Sequence, residues 1–259
     1  MKFRTFLQKQ ALAPSTIDVY CRINRIIPKD NAIEWLEQEI QKRKPISTLM
    51  VRRSIIKFRL MQDGYTEEEA VSMLPKTRGT KPKMRDGLTK RQLLRYEEIC
   101  EIIREPFRTI LLLLHLTGFR INEMCTIQMN QIKRAGDRYM IELMGKGGKP
   151  RTIPLSTKAQ RLLLQYIKTY QPQKWLFQGR KTHIKPKSVR NWTLKIQKDH
   201  PELSNLSPHV LRHTFATSLH QNDVSPLTIQ MLMGHSDLKT TQRYIHPTMD
   251  DLIKGIDRL

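Results

Sequence analysis

His209-Val210-Leu211-Arg212-His213 opens a stretch, Pro208 to His220, in which Val210, Leu211 and Phe215 recur at helical spacing. His209 and Arg212 stand one turn apart and so share a face, while the apolar positions beside them demand burial. An arginine pinned against apolar surroundings needs an anion. Working outward, the same situation recurs at Thr117-Gly118-Phe119-Arg120-Ile121-Asn122-Glu123, where Arg120 follows a glycine helix end and is flanked by Phe119 and Ile121. Between the two lies Gly145-Lys146-Gly147-Gly148-Lys149-Pro150, flanked by Tyr139–Leu143 and Arg151–Leu155, which reads as a β-hairpin. Downstream, Gly234-His235 is followed nine residues later by Tyr244-Ile245-His246.

The rest of the chain reads as mainly α. Before Pro75, helices are expected from Pro14 to about Ile26, from a cap at Asp30 through Ile40, from Ser47 to Met61, and from Thr66 to Leu74. On the third of these, Arg52, Arg53, Lys57 and Arg59 share the surface with apolar residues, which fits either a solvated face or a helix laid against DNA. Lys76, Arg78, Lys81, Lys83 and Arg85 then form a basic stretch without an acidic residue, a linker by composition whose charge suits a phosphate backbone. The expected division is 1–75 as a helical domain, 76–87 as the linker and 88–259 as a second domain. That domain opens with a capping box, Thr89 to Gln92. Further helices are expected over Ile121–Cys125, Ala159–Tyr170, Lys187–Gln197, Pro208–His220, Pro226–Met233 and Thr240–Ile245. The tail 249–259 places Leu252, Ile253, Ile256 and Leu259 on one stripe, to be covered either by its own domain or by a neighbouring subunit.

Composition narrows the partner. The 259 residues carry 46 Lys and Arg against 24 Asp and Glu, a net charge of +22, and the excess is shared by both halves. So basic a chain points to nucleic acid, although a membrane surface or ribosomal RNA would also attract it. The apolar run Ile110–Leu114 is too short to span a bilayer, and the N-terminus lacks the apolar core of a signal peptide. Cys21, Cys100 and Cys125 have no metal-type spacing and read as small buried residues in a reducing compartment. His209 and His213 are one turn apart, but no glutamate or carboxylate cluster accompanies them, so no metal is expected.

Read together, Arg120, Lys146, His209-Val210-Leu211-Arg212, His235 and Tyr244 resemble, in kind and order, the signature of the tyrosine recombinase (phage integrase, Xer-like) family. The resemblance covers essentially all of the second domain, and the first looks like that family's core-binding domain. It implies a SAM-like helical core-binding domain followed by a mostly α-helical catalytic domain with a small antiparallel sheet, the DNA breaking-rejoining enzyme fold, closing as a C-shaped clamp.

The resemblance also implies roles. Tyr244 would be the nucleophile, and Arg120 and Arg212 the clamps on the non-bridging oxygens, where a planar, always-charged fork suits developing charge. His209 would donate to the phosphate or accept the tyrosine proton, and His235 would hydrogen-bond a non-bridging oxygen. Lys146, with Lys149 as its competitor, would protonate the leaving 5′ oxygen. Glu123, one turn after Arg120, orients an arginine or Lys146, and His213 supports the site. The implied reaction needs neither metal nor ATP and passes through a 3′-phosphotyrosine and a Holliday junction. The implied partners are double-stranded DNA with inverted half-sites and copies of the chain itself, a dimer on one site and a tetramer in synapsis. The expected location is the cytoplasm, at the nucleoid, with no membrane. The chain opens almost directly on the core-binding helices, which favours a simple Xer-like or mobile-element recombinase. Two rivals share these features: a type IB topoisomerase and a DNA-binding regulator that keeps the fold without the chemistry.

Overall fold

The computed structural model describes residues 2–77, 87–144, 150–234 and 249–257. The chain divides into two compact units, Met1–Met84 and Arg85–Leu259. The expected helix Thr240–Ile245 lies outside the described residues, as do Lys146, Lys149, His235, Tyr244, Arg78, Lys81, Lys83 and Arg85.

The first unit is helical: α1 (Phe3–Lys9), α2 (Pro14–Asn24), α3 (Ala32–Gln41), α4 (Ile46–Gln62) and α5 (Glu67–Ser72). Here α4 is the hub and packs on all four others, burying Leu49, Ile55, Ile56 and Phe58 against Leu36, Ile27 and Leu7. Three sequence expectations are corrected. Helix α1 was not foreseen, because only Phe6 and Leu7 are buried and no capping residue announces it. Asp30 does not cap α3; Asn31 precedes it in the left-handed conformation, with no side-chain cap. Cys21 is half-buried rather than a core residue, unlike Cys100 and Cys125, whose thiols burial pushes up to about 12. Thr66 opens α5 through a capping box with Glu69.

The basic stripe of α4 is engaged within its own unit. Arg52 is paired with the buried Glu39 and stacks over Trp35 at 5.0 Å from its centroid. Arg53 donates to the carbonyls of Val71 and Pro75, each at 3.2 Å. Lys57 meets Glu67 at 2.5 Å. Arg59 donates to the Asn24 side chain at 2.6 Å and to the carbonyls of Asn24, Ile27 and Pro28. These cations tie α4 to its neighbours. The cause is spacing: at 52, 53, 57 and 59 the side chains flank the apolar seam and so reach the helices that pack on it. Lys76, by contrast, is exposed.

The second unit starts with α6 (Lys90–Glu101), opened by the Thr89–Gln92 capping box, and α7 (Phe107–Thr117), whose residues Thr109 to Thr117 are all buried. A helix apolar on every side belongs at the centre of a core, and α9 (Thr157–Tyr170), α10 (Pro186–Asp199) and α11 (Pro208–Gln221) surround it. After α8 (Ile121–Cys125) comes an antiparallel sheet of β1 (Ile132–Ala135), β2 (Arg138–Met144) and β3 (Pro150–Pro154), in that order. Ile141 faces Ile132 on one side and Ile153 on the other. The hairpin of β2 and β3 was expected; β1 is an addition, largely exposed beyond Ile132. The chain continues through α12 (Pro226–Met233) to α13 (Met249–Ile256).

Helix α13 packs on α12 and β3 of its own unit, burying Leu252 and Ile256, and Asp257 accepts a two-pronged ion pair from Arg138 of β2. Among the described residues no helix is long and apolar enough to cross a membrane.

Candidate active site

Arg212, on the second turn of α11, is 6% exposed. It donates to the Gly118 carbonyl at 2.5 Å and to the Met233 carbonyl, so two of its five donors are used on the ends of α7 and α12. Burial, then the neighbouring charge of Arg120, bring its pKa down to about 10, against the opposing pull of Glu123. It therefore stays charged at neutral pH in surroundings that favour an anion beside it.

Arg120 caps the start of α8 with its side chain 44% exposed. It reaches Glu123 at 3.0 Å and the Gly234 carbonyl at 3.1 Å. Both arginines are thus anchored at the C-terminal end of α12. Two glycines permit this. At Gly118, with φ of 62°, a Cβ would stand 2.3 Å from the Phe215 ring; at Gly234, with φ of 60°, it would stand 2.4 Å from the Arg151 guanidinium. Side chains rarely adopt that backbone conformation, and here they would also displace the core or an arginine.

Glu123 does not face the anion site as a free carboxylate. One oxygen accepts the Arg120 backbone N–H at 2.8 Å, and the other accepts Arg120 at 3.0 Å and Arg151 at 2.9 Å. Burial pushes its pKa up, but the Arg120 N–H, the charge of Arg151 and the side-chain hydrogen bonds from both arginines outweigh this and hold it below the ordinary value. Among the described residues, the arginines that Glu123 holds are Arg120 and Arg151.

Arg151 was missed by the sequence reading. A signal was present: on β3 it shares a face with Ile153 and Leu155, both buried, so an arginine stands where the alternation requires an inward side chain. His209, on the first turn of α11, is exposed and lines a cleft of about 620 Å³ with Ile121, Arg190 and Ser207. His213 is half-buried one turn further along. Among the described residues, no three His, Cys, Asp or Glu side chains are grouped to hold a metal.

The structure brings the guanidiniums of Arg120, Arg151 and Arg212 together with the Glu123 carboxylate around the end of α12. The chain is similar to known proteins in sequence and in fold. The phage integrase family model matches residues 87–251. Tyrosine recombinase XerC of Anoxybacillus flavithermus is 31% identical over 230 residues, covering 83% of this chain and 76% of that protein. A tyrosine recombinase of Thermosipho africanus is 32% identical over 152 residues, 59% of this chain and 53% of the relative, so this match spans about half of its length. Among solved structures, a lambda integrase tetramer bound to a Holliday junction shares the fold with a TM-score of 0.67 at 20% identity, covering 93% of this chain and 77% of that one. The chain belongs to the phage integrase family of tyrosine recombinases.

Proposed function

We propose that the protein is a site-specific recombinase that cuts and rejoins DNA through Tyr244. The observation that carries this reading is the anchoring of Arg120 and Arg212 on adjacent carbonyls, Gly234 and Met233, at the end of α12. Two fixed guanidiniums match the two non-bridging oxygens of a phosphodiester, whose negative charge grows as it is attacked. The Tyr244 oxygen forms a bond to phosphorus as the bond to the 5′ oxygen breaks, leaving a 3′-phosphotyrosine. His209 takes the phenol proton, Lys146 delivers one to the departing oxygen, and His235 donates to a non-bridging oxygen. The phosphotyrosine conserves the energy of the broken bond, so rejoining needs neither ATP nor metal. Protomers act as a dimer on inverted half-sites and as a tetramer that exchanges strands through a Holliday junction, as the lambda integrase likeness supports. The work is done in the cytoplasm, at the nucleoid.

The test uses a nicked duplex carrying the sequence that the wild-type protein enriches from a random-duplex pool. The wild-type protein is expected to form a covalent adduct, and Tyr244→Phe to form none while binding normally. An adduct in Tyr244→Phe would remove Tyr244 as nucleophile, and relaxation of a one-site plasmid without recombinant product would favour a topoisomerase. Replacing the bridging 5′ oxygen by sulfur is expected to rescue Lys146→Ala, because sulfur leaves without a proton; rescue of Lys149→Ala instead would exchange the two lysines.

A further inference from the structure

Arg151 closes a ring of contacts around the clamp. Its Nη2 donates to Glu123 Oε1 at 2.9 Å, the same oxygen accepts Arg120 Nη1 at 3.0 Å, and Arg120 Nη2 donates to the Gly234 carbonyl at 3.1 Å. The ring is completed by contact: Gly234 lies so close over the Arg151 guanidinium that a Cβ there would approach its Cζ to 2.4 Å. The Arg151 side chain is only 16% exposed, and its Nε is buried with no hydrogen-bond partner among the described residues. Such placement, on the inward face of β3, turns the side chain toward Glu123 and Gly234.

We propose that Arg151 is a positioning residue, which occupies the Glu123 carboxylate and supports Gly234 so that Arg120 keeps the orientation in which it meets the scissile phosphate. The inference rests on the role given to Arg120 above. A carboxylate with one guanidinium neighbour draws it into a two-pronged pair. With Arg151 present, Glu123 Oε1 is shared between two cations, and Arg120 holds it with one nitrogen while the other reaches Gly234. Without Arg151, Glu123 would take both nitrogens of Arg120 and turn the fork away from Gly234.

The full-length protein and the nicked duplex described above test this by single-turnover cleavage. Arg151→Gln is expected to slow cleavage by about 10²-fold, the scale of a small misplacement of a reacting group, with DNA affinity unchanged. In an Arg120→Ala background the same substitution is expected to add almost nothing, because it acts through Arg120. A full additional loss there would overturn the proposal and make Arg151 an independent contact. Arg151→Lys, which keeps a cation on Glu123, is expected to recover most of the rate; a loss equal to that of glutamine would overturn it. A crystal structure of the Arg151→Gln or Arg151→Lys protein decides the point without cleavage. In the glutamine variant Arg120 is expected to leave the Gly234 carbonyl, and in the lysine variant to stay. Arg120 remaining on Gly234 in the glutamine variant would overturn the proposal, whereas absence of an adduct with the wild-type protein would count against the recombinase reading alone.

Discussion

Arg120 and Arg212 are tied to consecutive backbone carbonyls, those of Gly234 and Met233, although one caps α8 and the other lies within α11. The end of α12 thereby sets the spacing of the two guanidiniums, and the two anchor residues immediately precede His235 in sequence.

The two arginines differ in burial, which separates their variants. Arg212→Ala is expected to raise the cleavage barrier by about 2.7–4 kcal/mol, the typical loss for one transition-state donor. It should also lower Tm, since the Gly118 and Met233 carbonyls lose a donor in the interior. Arg120→Ala, at a half-exposed position, should slow cleavage comparably at nearly unchanged Tm. Adduct formation and thermal unfolding, measured on the same preparations, check both. Cleavage at the wild-type rate in either variant would remove that arginine from the clamp.

The α4 cations make a second set of outcomes. Arg59 holds the end of α2 and the following turn through Asn24, Ile27 and Pro28, and burial lowers its pKa. Arg59→Ala should therefore destabilise the protein by roughly 1.5–3 kcal/mol, the worth of a charge-assisted hydrogen bond. Arg52→Gln and Lys57→Gln should leave the salt dependence of DNA binding unchanged. A change of about 0.9 in the slope of log K against log salt for either would place that side chain on a phosphate.

Much of the fold was legible in the sequence where period and punctuation agree. The expected Pro226–Met233 helix matches α12 end to end, and the Thr89 and Thr66 starts carry the capping boxes that locate them. Strand β1 escaped because Ile132 is its one buried-side apolar residue; only Gly136-Asp137, the turn into β2, hinted at it. Arg120, Glu123 and Arg212, which the structure brings together, stand beside local neighbours that a sequence displays. Arg151 was not legible in this way, since its partners Glu123 and Gly234 lie 28 and 83 positions away and only the fold brings them together. The stripe of the tail was visible, but what covers it was not.

His115 gives the second unit a pH dependence. It is 7% exposed on α7, its Nδ1 has no hydrogen-bond partner among the described residues, and burial pushes its pKa down to about 4 from 6.5. Below pH 6.5 the unfolded chain binds a proton that the folded protein does not. Stability present above that pH is therefore lost as pH falls toward 4. By pH 5 the loss from this group reaches about 2 kcal/mol. Urea unfolding at pH 7 and pH 5 should show the wild-type protein losing about 2 kcal/mol more than His115→Gln. Equal losses would mean that folded His115 accepts the proton after all.

Helix α13 bears on the two ways of covering the tail. The structure places Leu252 and Ile256 in the core of the same unit, with Arg138 and Asp257 closing the end. Filling the interior of one chain means that the loss from truncating Ile256 appears in the monomer. Ile256→Ala is expected to cost about 2 kcal/mol or more of unfolding free energy, at the low end for a buried isoleucine because a terminal helix can detach locally. Truncation before Met249 should act in the same direction. Cooperativity between protomers, measured by gel shift on half and full sites, should be the same for Ile256→Ala and wild type once both are folded. Unchanged monomer stability together with lost full-site cooperativity would assign the helix to a neighbouring protomer, because only then would its apolar face be covered upon assembly.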